Sequence, residues 1–241
     1  IGPIKQVDLY NNKRLQMAFN TSERFLIMDR NGKEVSPFKI KISNTGKTNP
    51  LSVFDYDMNN NYRFLISNGS NINLYDKKGE KVNGFKLKKT KYSIPFSPKH
   101  FRIKNKDYII IPQNDGSIII NNRKGEERIK VKEKINFSNN EIFLYRDTFA
   151  TTDLDGNLVQ IDLKGNVLRS PLNLNSDHKI DMISKTLVSI SDNILTINGI
   201  PISLPFGNYS IPKIFYVNNT IYISITDFDS KKVYLFLSNG T

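Results

Sequence analysis

The residues of this 241-residue chain best suited to chemistry are Asp55, Asp57 and Asn59, at alternate positions in Asp55-Tyr56-Asp57-Met58-Asn59-Asn60-Asn61-Tyr62-Arg63. Hard oxygen donors spaced in this way are how a loop presents ligands to Ca²⁺. Two features work against a tight site. Arg63 stands where a closing acidic ligand belongs, and the loop has no internal glycine. They favour an Asn/Asp-rich turn between two strands, its side chains bonded to the local backbone. Asp55, Asp57 and Asn59 stand as the metal candidates beside that reading. Asp153-Leu154-Asp155-Gly156-Asn157 offers a shorter acidic version, but Asp-Gly is a hairpin signal.

Nucleophilic catalysis needs a base next to the nucleophile. The two histidines are His100, at the start of an apparent strand, and His178, in the polar run Asn175-Ser176-Asp177-His178-Lys179. Neither lies in a nucleophile motif, and there is no Gly-x-Ser-x-Gly, no P-loop and no His pair at metal spacing. Asp227 and Asp229 read as a strand end. There is no cysteine, which excludes disulfides, thiol catalysis and Cys-ligated zinc. The sequence is therefore expected to be no enzyme and to use no cofactor.

With 35 Lys and Arg against 23 Asp and Glu, the net charge is +12. Such a balance suits weak, non-specific binding to polyanions. The densest clusters are Lys86, Lys88, Lys89 and Lys91, then Lys124, Arg128, Lys130, Lys132 and Lys134. Glu126, Glu127 and Glu133 interrupt the second cluster. In Arg128-Ile129-Lys130-Val131-Lys132 the cations alternate with apolar residues, so they form the solvent side of a strand.

These residues must be positioned by a repeated unit. A phrase of alternating strand followed by Asp/Asn-x-x-Gly ends at Gly32, Gly79, Gly125 and Gly165, with worn copies at Gly199 and Gly240. The glycines lie roughly 34 to 47 residues apart, the spacing of a radial or stacked array. Each phrase has its own upstream turn, such as Asn68-Gly69, Asp115-Gly116 or Asp155-Gly156, and a further strand before it. A strand also follows, such as Gly84–Lys88 or Arg128–Val131, and linking strands such as Lys99–Ile103 complete the unit. Four strands in about 40 residues is the period of a β-propeller blade. The expectation is an all-β fold, a β-propeller of four-stranded antiparallel blades, with about six blades or partial blades. Residues 1–241 are expected to form one domain.

The pattern Asp-Gly-x-Leu-x-x-Ile-Asp-x-x-Gly, clearest from Asp155 to Gly165, resembles the blade motif of PQQ-like, BamB-like propellers. The whole chain is also similar to uncharacterised envelope propeller proteins of Bacteroidota, and Asp55–Asn59 resembles the calcium loops of FG-GAP or VCBS propeller repeats. One departure is clear: quinoprotein enzymes stack their blades with recurrent Trp, and this chain has none.

The absence of catalytic motifs favours a non-catalytic propeller scaffold for protein–protein interaction, expected in the bacterial envelope, periplasmic or associated with the outer membrane. The alternatives are a metal-dependent propeller hydrolase or lyase, and a basic polysaccharide- or nucleic-acid-binding module. No apolar run approaches the roughly 20 residues that span a bilayer. The chain begins without Met at Ile1 and stops after a repeat turn at Thr241, so it reads as a fragment of something longer.

Overall fold

The computed structural model describes residues 2–43 and 46–241, and those residues contain no helix. The chain separates into two compact units, Ile1–Lys134 and Ile135–Thr241. Both are built from consecutive antiparallel sheets in which neighbouring strands in sequence are neighbours in space.

The first unit holds three sheets. One comprises β1 (Lys5–Val7), β2 (Gln16–Asn20), β3 (Arg24–Met28) and β4 (Ile40–Lys41). The next comprises β5 (Ser52–Phe54), β6 (Arg63–Asn68) and β7 (Asn71–Asp76). The third comprises β8 (Lys99–Ile103), β9 (Lys106–Pro112), β10 (Ile118–Asn121) and β11 (Glu127–Lys130). Lys99–Ile103, read from sequence as a link between repeats, is the first strand of its sheet.

The second unit repeats the scheme. Its first sheet holds β12 (Phe143–Tyr145), β13 (Thr148–Thr152), β14 (Asn157–Ile161) and β15 (Val167–Pro171). Then come β16 (Lys179–Ile183), β17 (Thr186–Ser191), β18 (Ile194–Ile197) and β19 (Ile200–Ser203), and last β20 (Lys213–Val217), β21 (Thr220–Asp227) and β22 (Lys232–Leu237).

The Asp/Asn-x-x-Gly phrase closes the turn after the third strand of each repeat. In four copies the glycine N–H donates to the carbonyl of the Asp or Asn three residues earlier. That residue's Oδ1 then accepts two further N–H groups, at i+2 and i+4: Asn31 and Lys33 for Asp29, Lys78 and Glu80 for Asp76. Asn122 and Asp162 do the same. The glycine has φ between 73° and 80° in these four copies, in the left-handed region where a Cβ is costly. In the last copy Leu237 stands in the Asp position; its carbonyl still accepts from Gly240, but the side-chain cap is lost.

One expected strand is absent. Gly84–Lys88 does not form a ladder; the edge of β7 is met only by isolated bridges, Tyr75 with Lys81 and Asn71 with Lys89. Phe85 explains this. Its side chain is buried in the core, and the chain leaves the sheet to seat it, with the Lys86 N–H donating instead to the carbonyl of Lys124.

The sheets pack face to face through alternating apolar residues. Phe25, Phe38 and Phe64 form an aromatic triangle between the first two sheets, with ring centroids 5.1 to 5.7 Å apart. Phe54, Leu65, Leu74, Ile109 and Ile111 join the second and third. Ile190, Leu195, Ile214 and Ile223 join the last two of the second unit. Of the alternating apolar residues on the recurrent strands, Leu26, Leu74, Ile118, Ile120, Leu158 and Ile161 are buried, and Met28 is half-buried at its strand end. Each full burial of such a side chain stabilises by about 1.5–3 kcal/mol.

Candidate functional site

The Asp55 loop leads from β5 to β6. Both carboxylate oxygens of Asp55 are occupied by backbone, accepting from the Asn59 N–H at 3.1 Å and the Asn60 N–H at 2.9 Å. Asn59 Oδ1 accepts from the Asn61 N–H. Arg63 folds back onto Asn61 and the carbonyl of Tyr62. The turn has a twin between β1 and β2. There Asp8 accepts from the Asn12 and Lys13 N–H groups, and Asn12 Oδ1 from the Arg14 N–H. Asn11 and Lys13 have positive φ, as do Met58 and Asn60. The twins touch, Asn60 Nδ2 donating to Asn11 Oδ1 at 2.7 Å. Tyr10 holds the place in the first turn that Asp57 holds in the second, so the carboxylate at 57 is an addition to a repeated turn.

Asp57 points away from Asp55 and Asn59. Its two oxygens accept from both terminal nitrogens of Arg123, at 2.6 and 3.0 Å, and from Arg102 at 3.2 Å. Among the described residues, no three His, Asp or Glu side chains converge as a metal site. The same guanidinium reaches a second carboxylate, Arg123 Nε donating to Asp107 Oδ2 at 2.6 Å. Asp107 is buried and also receives His100 Nε2 at 2.9 Å. A carboxylate oxygen only accepts, so Nε2 carries the proton. Arg102 donates to the Tyr56 carbonyl at 2.7 Å. The Tyr56 ring lies between Arg123, 4.7 Å from its centroid, and the edge-on His100 ring at 4.8 Å.

The electrostatics follow from this geometry. Hydrogen bonding from Arg123 holds the Asp57 carboxyl below its ordinary range and keeps Arg123 firmly charged. Burial drives His100 below its ordinary value and outweighs the opposing pull of Asp107. Burial also pushes the Tyr56 phenol well up, against the pull of Arg63 and Arg123. The Tyr56 hydroxyl is buried with no hydrogen-bond partner among the described residues. Asp57, Arg102, Asp107 and Arg123 thus form a charge-balanced clasp between the second and third sheets. Sequence reading missed it because its members lie up to 66 residues apart.

The second unit holds another polar cluster. His178 Nδ1 donates to the carbonyl of Asn175, and Nε2 lies 2.7 Å from Thr152 Oγ1, the spacing of a nucleophile and its base. Thr152 is 0% exposed, and its oxygen is also met by Ser138 Oγ at 2.9 Å and Asn140 Nδ2 at 3.1 Å. Asn140 further donates to the His178 carbonyl and accepts from the Ile180 N–H. This network ties the Ser138–Asn140 segment and β13 to the entry of β16. Asp181 likewise joins β16 to β20, accepting the Ile214 N–H at 2.8 Å. Asp227 ends β21 and caps the Asp229 N–H and Ser230 hydroxyl; its carboxyl is held low by them. Asp153 accepts both the backbone and side-chain N–H of Asn157, closing the hairpin that the Asp-Gly pair marks.

The basic clusters are divided. Lys86 pairs with Glu126 and Lys134 with Asp115. Arg128 lies over the Tyr108 ring and Lys91 over the Tyr92 ring. In β11 Arg128 and Lys130 are exposed around the buried Ile129.

No protein-family model matches the chain, and no curated protein is similar to it. Solved structures are. BBS1N, crystallised in complex with ARL6DN, superposes with a TM-score of 0.70 at 10% identity, over 98% of this chain and 77% of that one. BamB from Moraxella catarrhalis gives 0.57 at 14% identity, over 91% and 66%. The computationally designed Ika8 protein gives 0.57 at 13% identity, over 93% and 71%. At these identities the likeness speaks to fold. The chain has a β-propeller fold built of antiparallel blades.

Proposed function

We propose that this propeller is a non-catalytic platform that binds a protein partner in the bacterial envelope. The observation that carries the reading is the outer face of the last sheet. Ile214, Ile223 and Ile225 pack inward, and the register then sets Phe215, Tyr222 and Leu237 on the opposite face with Leu235 and Val233. Phe215 and Tyr222 stack at 5.8 Å, and Val233 and Leu235 are 69% and 57% exposed. An apolar sheet face of this kind is what a protein partner covers.

Two further points support the proposal. The groups that could do chemistry are engaged elsewhere: Asp57 and Asp107 by arginines, His178 and Thr152 by each other beneath the surface. BBS1N, a structural neighbour of this chain, is crystallised in complex with ARL6DN. The envelope setting rests on the motif resemblance and the structural likeness to BamB. The net charge of +12 adds weak adhesion to polyanions, screened over a Debye length of about 8 Å at physiological salt.

The test pairs affinity capture from envelope extract with a hydrolase and nuclease screen, using the parent and a Val233→Lys/Leu235→Lys double variant. A defined protein captured by the parent and lost in the double variant supports the reading. Turnover abolished by His100→Gln or Asp107→Asn, with no protein recovered, overturns it.

A further inference from the structure

A cavity of about 420 Å³ lies at the border of the first two sheets, lined by Ile42 and Ser43 just past β4, by Asn68, Asn71, Ile72 and Asn73, and by Lys81 and Lys88. We propose that it binds an acidic saccharide, with a carboxylate held by Lys81 and Lys88 and sugar hydroxyls held by Asn73 and Ser43.

The cavity marks the place where apolar packing between two blades stops. Along β7, Asn71, Asn73 and Tyr75 share one face by strand alternation. Tyr75 enters the Phe25–Phe64 core, whereas Asn73 lines the cavity. Apolar packing therefore gives way to amides along a single strand. The missing outer ladder of this sheet is what leaves room: the chain bonds to β7 around Glu80–Val82 and again around Lys88–Lys89, and departs between them to bury Phe85. Lys81 and Lys88 sit at the two ends of that departure. Their positions are fixed by backbone bonds, the Lys81 bridge to Tyr75 and the Ile72 N–H to the Lys88 carbonyl at 2.9 Å.

Charge and hydrogen bonding name the ligand class. Among the described residues, no carboxylate lines the cavity. Neither lysine has an acidic partner among the described residues, in contrast to Lys86 and Lys134, which are paired. Asn73 is half-buried, and its side-chain amide makes no hydrogen bond among the described residues. A half-buried amide offers both a donor and an acceptor, which suits a hydroxyl. Ile42, half-buried at the cavity, supplies an apolar surface for the C–H face of a sugar ring. Among the described residues the lining has no aromatic ring on which a nucleobase would stack, which favours a saccharide over a nucleic acid. The volume falls within the range of about 300–1,000 Å³ usual for small-ligand sites.

This site goes beyond the scaffold reading and stands apart from it, since the protein-binding face lies on the last sheet of the other unit. The test is calorimetry of the whole 241-residue chain with three probes: trigalacturonate, neutral maltotriose and a single-stranded oligodeoxythymidylate. The variants are Lys81→Gln, Lys88→Gln and Asn73→Ala, with thermal melts as a folding control. Both lysines are exposed, so these changes leave the fold intact. The expected result is saturable binding of trigalacturonate and none of maltotriose. Each lysine change should weaken it about tenfold, the loss of one charge-assisted hydrogen bond. Asn73→Ala should weaken it several-fold in a way that persists at high salt, where a purely ionic contribution is screened. Absence of saturable trigalacturonate binding overturns the proposal. So does equal affinity in parent and lysine variants, or binding of the oligonucleotide alone with loss in those variants.

Discussion

Arg123 grips Asp57 with both terminal nitrogens while its Nε holds Asp107, so one guanidinium joins an exposed carboxylate to a buried one across two sheets. The two ends of this contact differ in worth. Exposed ion pairs stabilise little, whereas a buried carboxylate stripped of its partner is costly. Arg123→Ala is expected to destabilise by about 2 kcal/mol, because Arg102 and His100 remain to compensate Asp107 only in part. Asp57→Asn should leave stability close to the parent. Urea denaturation of the two variants measures the difference. Equal losses would mean that the clasp works through its exposed end.

His100 gives the molecule a pH response of known sign. Burial lowers its folded pKa, so the unfolded chain binds the proton first as pH falls. Stability is thus full above the unfolded value of about 6.5 and declines below it until the folded value is reached. The depressed carboxyls act in another window. Asp57, Glu126, Asp227 and Asp115, the last at about 2, contribute stability above their unfolded values that is lost as pH falls below about 4. Melting temperatures at pH 7.5 and 5.0 isolate the histidine. The parent should lose stability between them, and His100→Gln should show a flatter profile. Identical profiles would assign the response to another group.

Tyr56 carries, in the middle of the clasp, a buried hydroxyl without a partner among the described residues. Tyr56→Phe removes that cost and keeps the ring beneath Arg123 and beside His100. It should be neutral or stabilising by up to about 1 kcal/mol. Tyr56→Ala removes the ring itself and should cost about 3–5 kcal/mol. A marked loss in Tyr56→Phe, measured by denaturant midpoint, would show that the phenol does find a partner in solution.

The fold was legible because its signals are local. Asp-x-x-Gly turns recur because a side-chain oxygen caps N–H groups two and four residues on, and a glycine is needed at positive φ; both requirements sit within five residues of sequence. Strand alternation is local in the same way, which is why Leu74, Ile120 and Leu158 could be placed in the core. The polar sites were not legible because they are made by pairing between blades. Asp57 and Arg123 share no spacing rule, nor do Thr152 and His178. The calcium-like rhythm of Asp55, Asp57 and Asn59 is real as a pattern, yet a twin turn at Asp8 with Tyr10 in the middle position shows that its first and third members serve the backbone. Gly84–Lys88 failed as a strand because strand propensity carries no information that Phe85 has a core site to fill away from the sheet.

Thr152 and His178 provide the sharpest test of whether this chain is an enzyme. Their 2.7 Å contact satisfies the distance requirement for an activated hydroxyl, but a nucleophile must also meet its substrate. Thr152 is 0% exposed, and its oxygen is surrounded by Ser138, Asn140 and His178. In this position the hydroxyl works as a hub that satisfies three buried polar groups. Thr152→Val keeps the shape and removes the hub, leaving those groups short of a partner. The expected cost is about 1–3 kcal/mol, the desolvation penalty of buried unsatisfied groups. Thr152→Ser restores the oxygen and loses only a methyl, so it should recover most of the stability. A catalytic hydroxyl would behave otherwise: Thr152→Val would abolish a measurable turnover while Thr152→Ser retained it, with melts of all three proteins nearly coincident. Denaturation and an esterase screen on the same three samples separate the two roles, and coincident melts with lost turnover would make this pair a reaction centre.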